Sequence, residues 1–348
     1  MLIAFFVNDM VREHVNYTTT VLAFAATQRG HRVCYVTPSD FALRPDDSMC
    51  VHARFAPRKK HKDHEVFFEA LKKVEEKIET IDVAEIDVLM LRNDPSLDAQ
   101  SAPWAADSGI LFGREAAKRG VLVLNDPDSL GRAVNKLYFQ SFPEEVRAET
   151  LITRNAADVK AFAKAHGGSV ILKPLQGSGG SGVFKLDTSS KSNLNQMIEA
   201  IGRDGYIIAQ AYVPAAAKGD IRMFLMNGWP LKIGDKYCAL RRVASKDDIR
   251  SNIHAGGSAE AVEIGKTELK VAELIRPKLV ADGMFLVGID IVGDKILEVN
   301  VFSPGNLQRC SVLTGENFAI PVIEAIERKL EIARDFAGAF NNRALASL

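Results

Sequence analysis

The chain has 348 residues, 47% of them hydrophobic, enough for two or three folded units with a sizeable core, which excludes a single small domain. Its 44 basic and 44 acidic residues cancel, so no global field favours nucleic acid or a membrane surface. The 4 cysteines contain no CxxC pair, which excludes a zinc knuckle or a dense disulfide framework and fits a reducing cytoplasm; residues 2–7 lack the basic leader of a secretory signal, and no apolar run nears the ~18 residues of a membrane span.

Residues 2–7 read as a buried strand, 17–29 as a helix closed by Gly30, and 32–36 as the next strand. The spacing then predicts a helix over 66–81, a strand over 87–91, and helical residues 113–119 leading through Gly120 into a strand at 121–124. Residues 1–125 are therefore expected to form a doubly wound, Rossmann-like α/β unit. Inside it, Arg58-Lys59-Lys60-His61-Lys62-Asp63-His64 reads as a solvated loop, because two histidines without a third ligand make a poor zinc site. The turn-rich Asn125-Asp126-Pro127-Asp128 opens a second unit, 126–210, with a helix at 159–165, a strand at 169–172 running into Lys173-Pro174, and a strand at 206–211. A third unit, 211–332, holds a strand at 221–226 before an Asn227-Gly228 turn, a helix at 266–281, strands at 285–292 and 295–302, and a helix at 319–332. Residues 333–348 are expected to be a loosely held tail.

The strands at 285–292 and 295–302 carry Asp290, Glu298 and Asn300. A three-residue loop, Gly293-Asp294-Lys295, sets Asp290 opposite Glu298 and Asn300 opposite Gly288, and pairs Val287 with Val301, Ile289 with Val299 and Ile291 with Leu297. A two-residue loop would set Ile289 against Glu298 and mix the faces, so burial selects the odd loop. Three oxygen donors on one face suit Mg²⁺; an edge hairpin with one wet face is the alternative. Residues 177–182, Gly-Ser-Gly-Gly-Ser-Gly, satisfy GxGxxG, but a strand rather than a helix follows, so the segment reads as a flap whose backbone N–H groups can lie over phosphates, or as a flexible hairpin tip. Lys173 adds a positive charge just before it, and Lys136 is a second candidate phosphate or nucleotide contact. At 209–214 a strand passes into an extended turn where backbone groups could meet an adenine edge while Tyr212 and Val213 pack its face; a buried strand end is the other reading.

Taken in order, Leu91-Arg92-Asn93-Asp94-Pro95, Asn125-Asp126-Pro127 followed by Asn135-Lys136, Ile171-Leu172-Lys173-Pro174 with its glycine loop, Gly219-Asp220-Ile221-Arg222, and Val287-Gly288-Ile289-Asp290 through Glu298-Val299-Asn300 resemble the bacterial glutathione synthetase family of the ATP-grasp superfamily. The resemblance runs over almost the full chain. It implies an α/β ATP-grasp fold behind the N-terminal unit 1–125, which would be a substrate domain, with 126–210 a lid subdomain and 211–332 the metal-bearing subdomain. It also implies roles: ATP contacts by Lys136 and Lys173, phosphate cover by Gly177, Ser178, Gly179 and Gly180, adenine held at Gln210, Tyr212 and Val213, and ribose beside Asp220. Asp290, Glu298 and Asn300 would hold Mg²⁺, with Mn²⁺ an option; Arg222, Arg242, Arg250 and Asn252 would serve catalysis, with Arg241 a rival to Arg242; and Arg92, Ser303, Pro304 and Gly305 would meet substrate.

The implied reaction is ATP-dependent joining of a carboxylate to an amine through an acyl phosphate, with no protein nucleophile. In the family the substrates are the small molecules γ-glutamylcysteine and glycine, with no nucleic acid or membrane involved, and bacterial members are commonly homo-oligomers. The flap and residues 232–252 should close during turnover, and loss of Asp290 or Glu298 should leave the fold intact. Phe302 stands where the family usually carries a small hydroxyl residue, which favours another ATP-grasp ligase with a different peptide or amine. A nucleotide-binding regulatory protein without ligase activity is a third reading.

Overall fold

The computed structural model describes residues 1–74, 77–177, 182–186, 194–203, 205–243 and 257–348. The chain is mixed α/β, with a doubly wound N-terminal part followed by two mainly antiparallel sheets.

The first sheet has seven strands: Leu2–Phe6 (β1), Arg32–Val36 (β2), Phe41–Leu43 (β3), Met49–Phe55 (β4), Glu79–Asp82 (β5), Val88–Leu91 (β6) and Leu122–Leu124 (β7). Its order is β3-β4-β2-β1-β6-β7, with β1, β2, β6 and β7 parallel and β5 paired with β4. The helices Thr18–Gln28 (α1), His64–Lys72 (α2), Pro95–Ser101 (α3), Ser108–Lys118 (α4) and Pro127–Arg132 (α5) accompany it. The helix expected over 66–81 is shorter than its spacing suggested. It begins where Asp63 caps it by accepting from Val66 N, and it stops at Lys72. Residues 79–82 instead pair with β4, placing Ile81 opposite Val51, so a long-range pairing overrides local periodicity.

In the second sheet Thr150–Thr153 (β8), Val170–Pro174 (β9), Phe184–Leu186 (β10) and Ile207–Ala211 (β11) lie in the order β10-β9-β11-β8, backed by Ala156–Ala165 (α6) and Leu194–Gly202 (α7). Strand β10 runs antiparallel to β9, so the glycine-rich residues 177–182 do join strand to strand, not strand to helix.

The third sheet is built on Asp220–Met226 (β12), flanked by the short Trp229–Pro230 (β13); a two-stranded ribbon, Lys232–Ile233 (β14) with Lys236–Tyr237 (β15), precedes Ala239–Val243 (β16), Ser258–Glu260 (β17), Leu286–Val292 (β18) and Lys295–Asn300 (β19). The order is β17-β16-β12-β18-β19. Helix Lys266–Ala281 (α8) covers one face through Val271, Ala272, Ile275 and Leu279, against Ile221, Met223, Val287 and Ile289. Leu307–Thr314 (α9) and Ala319–Asp335 (α10) complete the core; Leu307 and Cys310 of α9 join Phe224, Leu240 and Leu286 in one buried cluster.

The β18–β19 turn has two residues, Gly293 and Asp294, instead of the expected three: Val292 pairs with Lys295 and Ile291 with Ile296, so Ile291 does not meet Leu297. A β-bulge between Asp290 and Ile291 on one side and Leu297 on the other absorbs the offset, and Asp290 faces Glu298, Ile289 faces Val299, and Gly288 faces Asn300. The tight turn and the burial pattern are thus both satisfied, at the expense of one extra residue.

The tail is docked, contrary to expectation. Asn342–Ser347 forms a last helix (α11) with Ala346 fully buried. Asn342 accepts from Val123 N at 2.7 Å and donates to Val123 O at 3.0 Å and to Asp126 Oδ2 at 3.1 Å, so it pairs with the open edge of β7. Buried Lys329 donates to the carbonyls of Leu345 and Leu348 at 3.1 and 2.6 Å. Asn342→Ala is expected to cost about 2 kcal/mol by leaving edge-strand groups unpaired, as a shift in the denaturant midpoint at unchanged slope. An unchanged midpoint would show that the side chain does not hold the edge.

Candidate active site

Registers within the third sheet decide which side chains share a face. Asp220 lies opposite Arg242, Arg222 opposite Asp290, Asp290 opposite Glu298, and Asn300 opposite Gly288, so these six polar residues line the face away from α8. Two glycines make the approach possible. Gly219 has φ +87°, and a Cβ there would fall 2.0 Å from Arg242 O; a Cβ on Gly288 would fall 2.9 Å from Pro304 Cβ. The first lets β12 start against β16, and the second lets residues 303–305 fold down over β18.

Asp220, Arg222, Arg242 and Asp290 are all at least nine-tenths buried. Arg222 grips both Asp290 oxygens, with Nη2 at 2.9 Å from Oδ2 and Nε bonded to Oδ1. Arg242 bridges the two acids: its Nη2 lies 2.7 Å from Asp290 Oδ2, and Nε and Nη2 both bond Asp220. Burial alone would raise the Asp290 carboxyl, but the two guanidinium groups outweigh it and hold the group well below the usual carboxylate range. For Arg242 burial pulls down, and Asp290 and Asp220 together push the guanidinium above its ordinary value. Arg242, not Arg241, faces the acids: Arg241 pairs across β12 with Ile221, on the other face.

Beside this cluster lies a cavity lined by Lys136, Lys173, Gly177, Gln210, Glu298, Asn300 and Ser303 among others. Lys173 donates to Gln210 Oε1 at 3.1 Å, and Gln210 in turn donates to Thr150 Oγ1 at 3.2 Å, which fixes its amide. Lys136 reaches the glycine segment, donating to Gly177 O at 2.6 Å. Burial pushes Lys173 down to about 8, Glu298 offsetting part of it and Lys136 adding to it. Burial likewise lowers Lys136, against the pull of Glu298 and then Asp94. Two desolvated cations facing one carboxylate are suited to a polyphosphate, whose charge would restore both.

No three His, Cys, Asp or Glu side chains gather as a metal site among the described residues, so a cation here needs Asn300 in its set. The donors fit a hard cation. Asn300 turns its amide nitrogen to Gly288 O at 3.4 Å, leaving its oxygen for a ligand, and Glu298 forms no ion pair among the described residues. Asp290 is more constrained: the arginines occupy three of its roughly four lone-pair positions, which leaves one on Oδ1. That changes one expectation. Loss of Asp290 leaves the buried Arg222 guanidinium without a carboxylate and Arg242 with Asp220 alone, and should weaken the fold, whereas loss of Glu298 should not.

The remaining expected residues are placed as follows. Arg92 is buried beneath the 302–304 segment, donating to Phe302 O at 3.4 Å and Pro304 O at 3.0 Å, and thus holds backbone. Ser303 lines the cavity, and Gly305 O accepts from Arg222 at 3.3 Å. Tyr212 and Val213 do not line the cavity; the Tyr212 ring sits under Lys185 Nζ at 3.9 Å. Ser178, Gly179, Gly180, Arg250 and Asn252, with residues 244–252 of the expected closing segment 232–252, lie outside the described residues. Sequence reasoning missed Tyr138, Phe139, Thr150 and Leu297 as cavity walls. Leu297 was expected opposite Ile291 on the apolar face, and the bulge instead sets it in the cavity wall.

The prokaryotic glutathione synthetase N-terminal domain family matches residues 1–131, and the prokaryotic glutathione synthetase ATP-grasp domain family matches residues 135–315. The glutathione synthetase of Vibrio vulnificus is 35% identical over 255 residues, 73% of this chain and 76% of that protein. That of Shewanella oneidensis is 32% identical over 311 residues, 89% and 92% of the two chains, and that of Agrobacterium fabrum 32% identical over 92% and 93%. Among solved structures, D-cycloserine synthetase DcsG superposes with a TM-score of 0.64 at 15% identity over 94% of this chain and 99% of its own, a likeness of fold. With both halves matched in order by these family models and relatives more than 30% identical over most of both chains, this chain belongs to the bacterial glutathione synthetase family of ATP-grasp proteins.

Proposed function

We propose that the chain is an ATP-dependent carboxylate–amine ligase acting on γ-glutamylcysteine and a small amine, with glycine the first candidate. The observation that carries this is that Lys136 and Lys173, both half-buried, line one cavity with Glu298, whose strand partner is Asp290 of the Arg222–Asp290–Arg242 cluster. Such a site neutralises and aligns phosphates, and alignment with charge neutralisation is most of what phosphoryl transfer requires. A carboxylate oxygen of the donor attacks the γ-phosphorus and ADP leaves. The free amine then attacks the acyl carbon, phosphate leaves, and the nitrogen releases its proton to solvent. Lys136 and Lys173 hold phosphate oxygens throughout, and Arg222 and Arg242 keep the Asp290 carboxylate ionised and fixed. Glu298, Asn300 and the free Asp290 lone pair would hold Mg²⁺, or Mn²⁺, which supplies charge neutralisation at the phosphates when bound.

In this reading residues 1–125 form the substrate domain, 126–210 the lid, 211–332 the metal-bearing part and 333–348 a tail that braces the junction of the first and third sheets. The protein would work in the cytoplasm as a homo-oligomer, and no helix among the described residues is long and apolar enough to cross a membrane. A second reading, a different amine acceptor, is favoured by Phe302, which lines the cavity next to Ser303. ADP release should be measured with γ-glutamylcysteine and Mg²⁺ across glycine, alanine, serine, cysteine and larger amines. Turnover with glycine at least about tenfold above the rest, 1.4 kcal/mol in discrimination, supports the first reading; a preference for another amine supports the second. ATP binding with no ADP release from any pair would leave a regulatory protein.

A further inference from the structure

Glu13 lies in the loop between β1 and α1, and its Oε2 is buried with no hydrogen-bond partner. The charged group acting on it is Arg92, just after β6; Tyr35 on β2 and Thr20 on α1 complete its surroundings, and the Tyr35 hydroxyl also lacks a hydrogen-bond partner. Arg92 is buried as a whole residue. It meets Thr19 Oγ1 at 3.4 Å and two carbonyls of the 302–304 segment, and no carboxylate forms an ion pair with it among the described residues. Glu13 is the opposing charge that acts on it.

We infer that Glu13 is a positioning residue: through Arg92 it sets the 302–304 segment on the acceptor side of the site, and it does so in its ionised form. This rests on the ligase reading above. An isolated guanidinium in a low-dielectric site is held less firmly than one with a counter-charge, and its two carbonyl partners are the backbone of the segment next to Ser303. Burial raises the Glu13 carboxyl to about 7, with Arg92 and then the Thr20 hydroxyl pulling it back, so the counter-charge appears as pH rises through neutrality.

The test is kcat/KM for the acceptor amine, wild type divided by Glu13→Gln, from about pH 5.5 to 8.5. Dividing cancels the amine's own ionisation, which both proteins share. The ratio is expected to rise about fivefold with a midpoint near neutrality, at the low end of ordinary coupling between sites, through acceptor KM and not ATP KM. Glu13→Asp should keep the step with a moved midpoint, and it decides the matter if the Gln variant does not fold. A ratio that stays flat with pH, or a step in the ATP KM instead, overturns the inference while leaving the ligase reading intact. Absence of ADP release by the wild type with every amine removes both, and the two failures are therefore told apart.

Discussion

Glu298→Gln will abolish ATP-dependent ADP release, by at least about a thousandfold, while moving global stability by less than about 1 kcal/mol. The residue is half-buried at the cavity wall, its backbone pairing with Asp290 does not involve the side chain, and no ion pair depends on it among the described residues. In the proposed site its role would be double. It is the carboxylate least encumbered by arginine and so would be the strongest cation ligand of the proposed set, and its charge raises both Lys136 and Lys173 against burial. With the amide in place Lys173, already at about 8, falls further and becomes partly neutral at physiological pH. ATP KM should therefore rise as well, more at pH 8 than at pH 6.5. Equilibrium unfolding, ADP release and ATP KM at two pH values check the three parts, and retained turnover would remove Glu298 from the site.

Much of this site was legible because sheet registers convert spacing into faces. The pairing of Asp290 with Glu298 and of Gly288 with Asn300 follows from alternation and burial alone. The turn that delivers it does not: sequence cannot distinguish a three-residue loop from a two-residue turn plus a bulge, since both restore the same faces beyond Leu297. Helix 66–81 failed for a related reason, because the strand at 79–82 exists only by pairing with β4, itself unanticipated. The ion pairs of Asp290 with Arg222 and Arg242 required knowing that β16, β12 and β18 are adjacent, which no local pattern states. Glu13 left no signal at all; the burial of its Oε2 depends on β2, β6 and α1 meeting at the loop that carries it. The docked tail likewise depends on a β7 edge that only the folded sheet reveals.

Asp290→Ala should behave in the opposite way to Glu298→Gln, losing about 3–5 kcal/mol of stability along with activity, because removal of one partner leaves buried charges uncompensated. Asp290 is 3% exposed and serves Arg222, at 5%, and Arg242, at 8%. Asp220 still faces Arg242 after the substitution, so the Arg222 guanidinium loses most and its bond to Gly305 O at 3.3 Å becomes its main remaining polar contact. The pH dependence has a fixed sign. The folded Asp290 carboxyl lies below its ordinary value, so its contribution is present above the unfolded carboxylate pKa of about 4 and disappears as pH falls through the lower folded value. The stability gap between wild type and Asp290→Ala should then be constant from about pH 5 to 8 and close only in acid. Adding Arg222→Met should recover part of the loss, a coupling of about 1–3 kcal/mol in a double-mutant cycle. Denaturant unfolding of the two single variants and the double variant measures it. An Asp290→Ala protein within 1 kcal/mol of wild type at neutral pH, or additive single effects, would mean that the buried arginines do not rely on this carboxylate and that its depressed pKa has another origin.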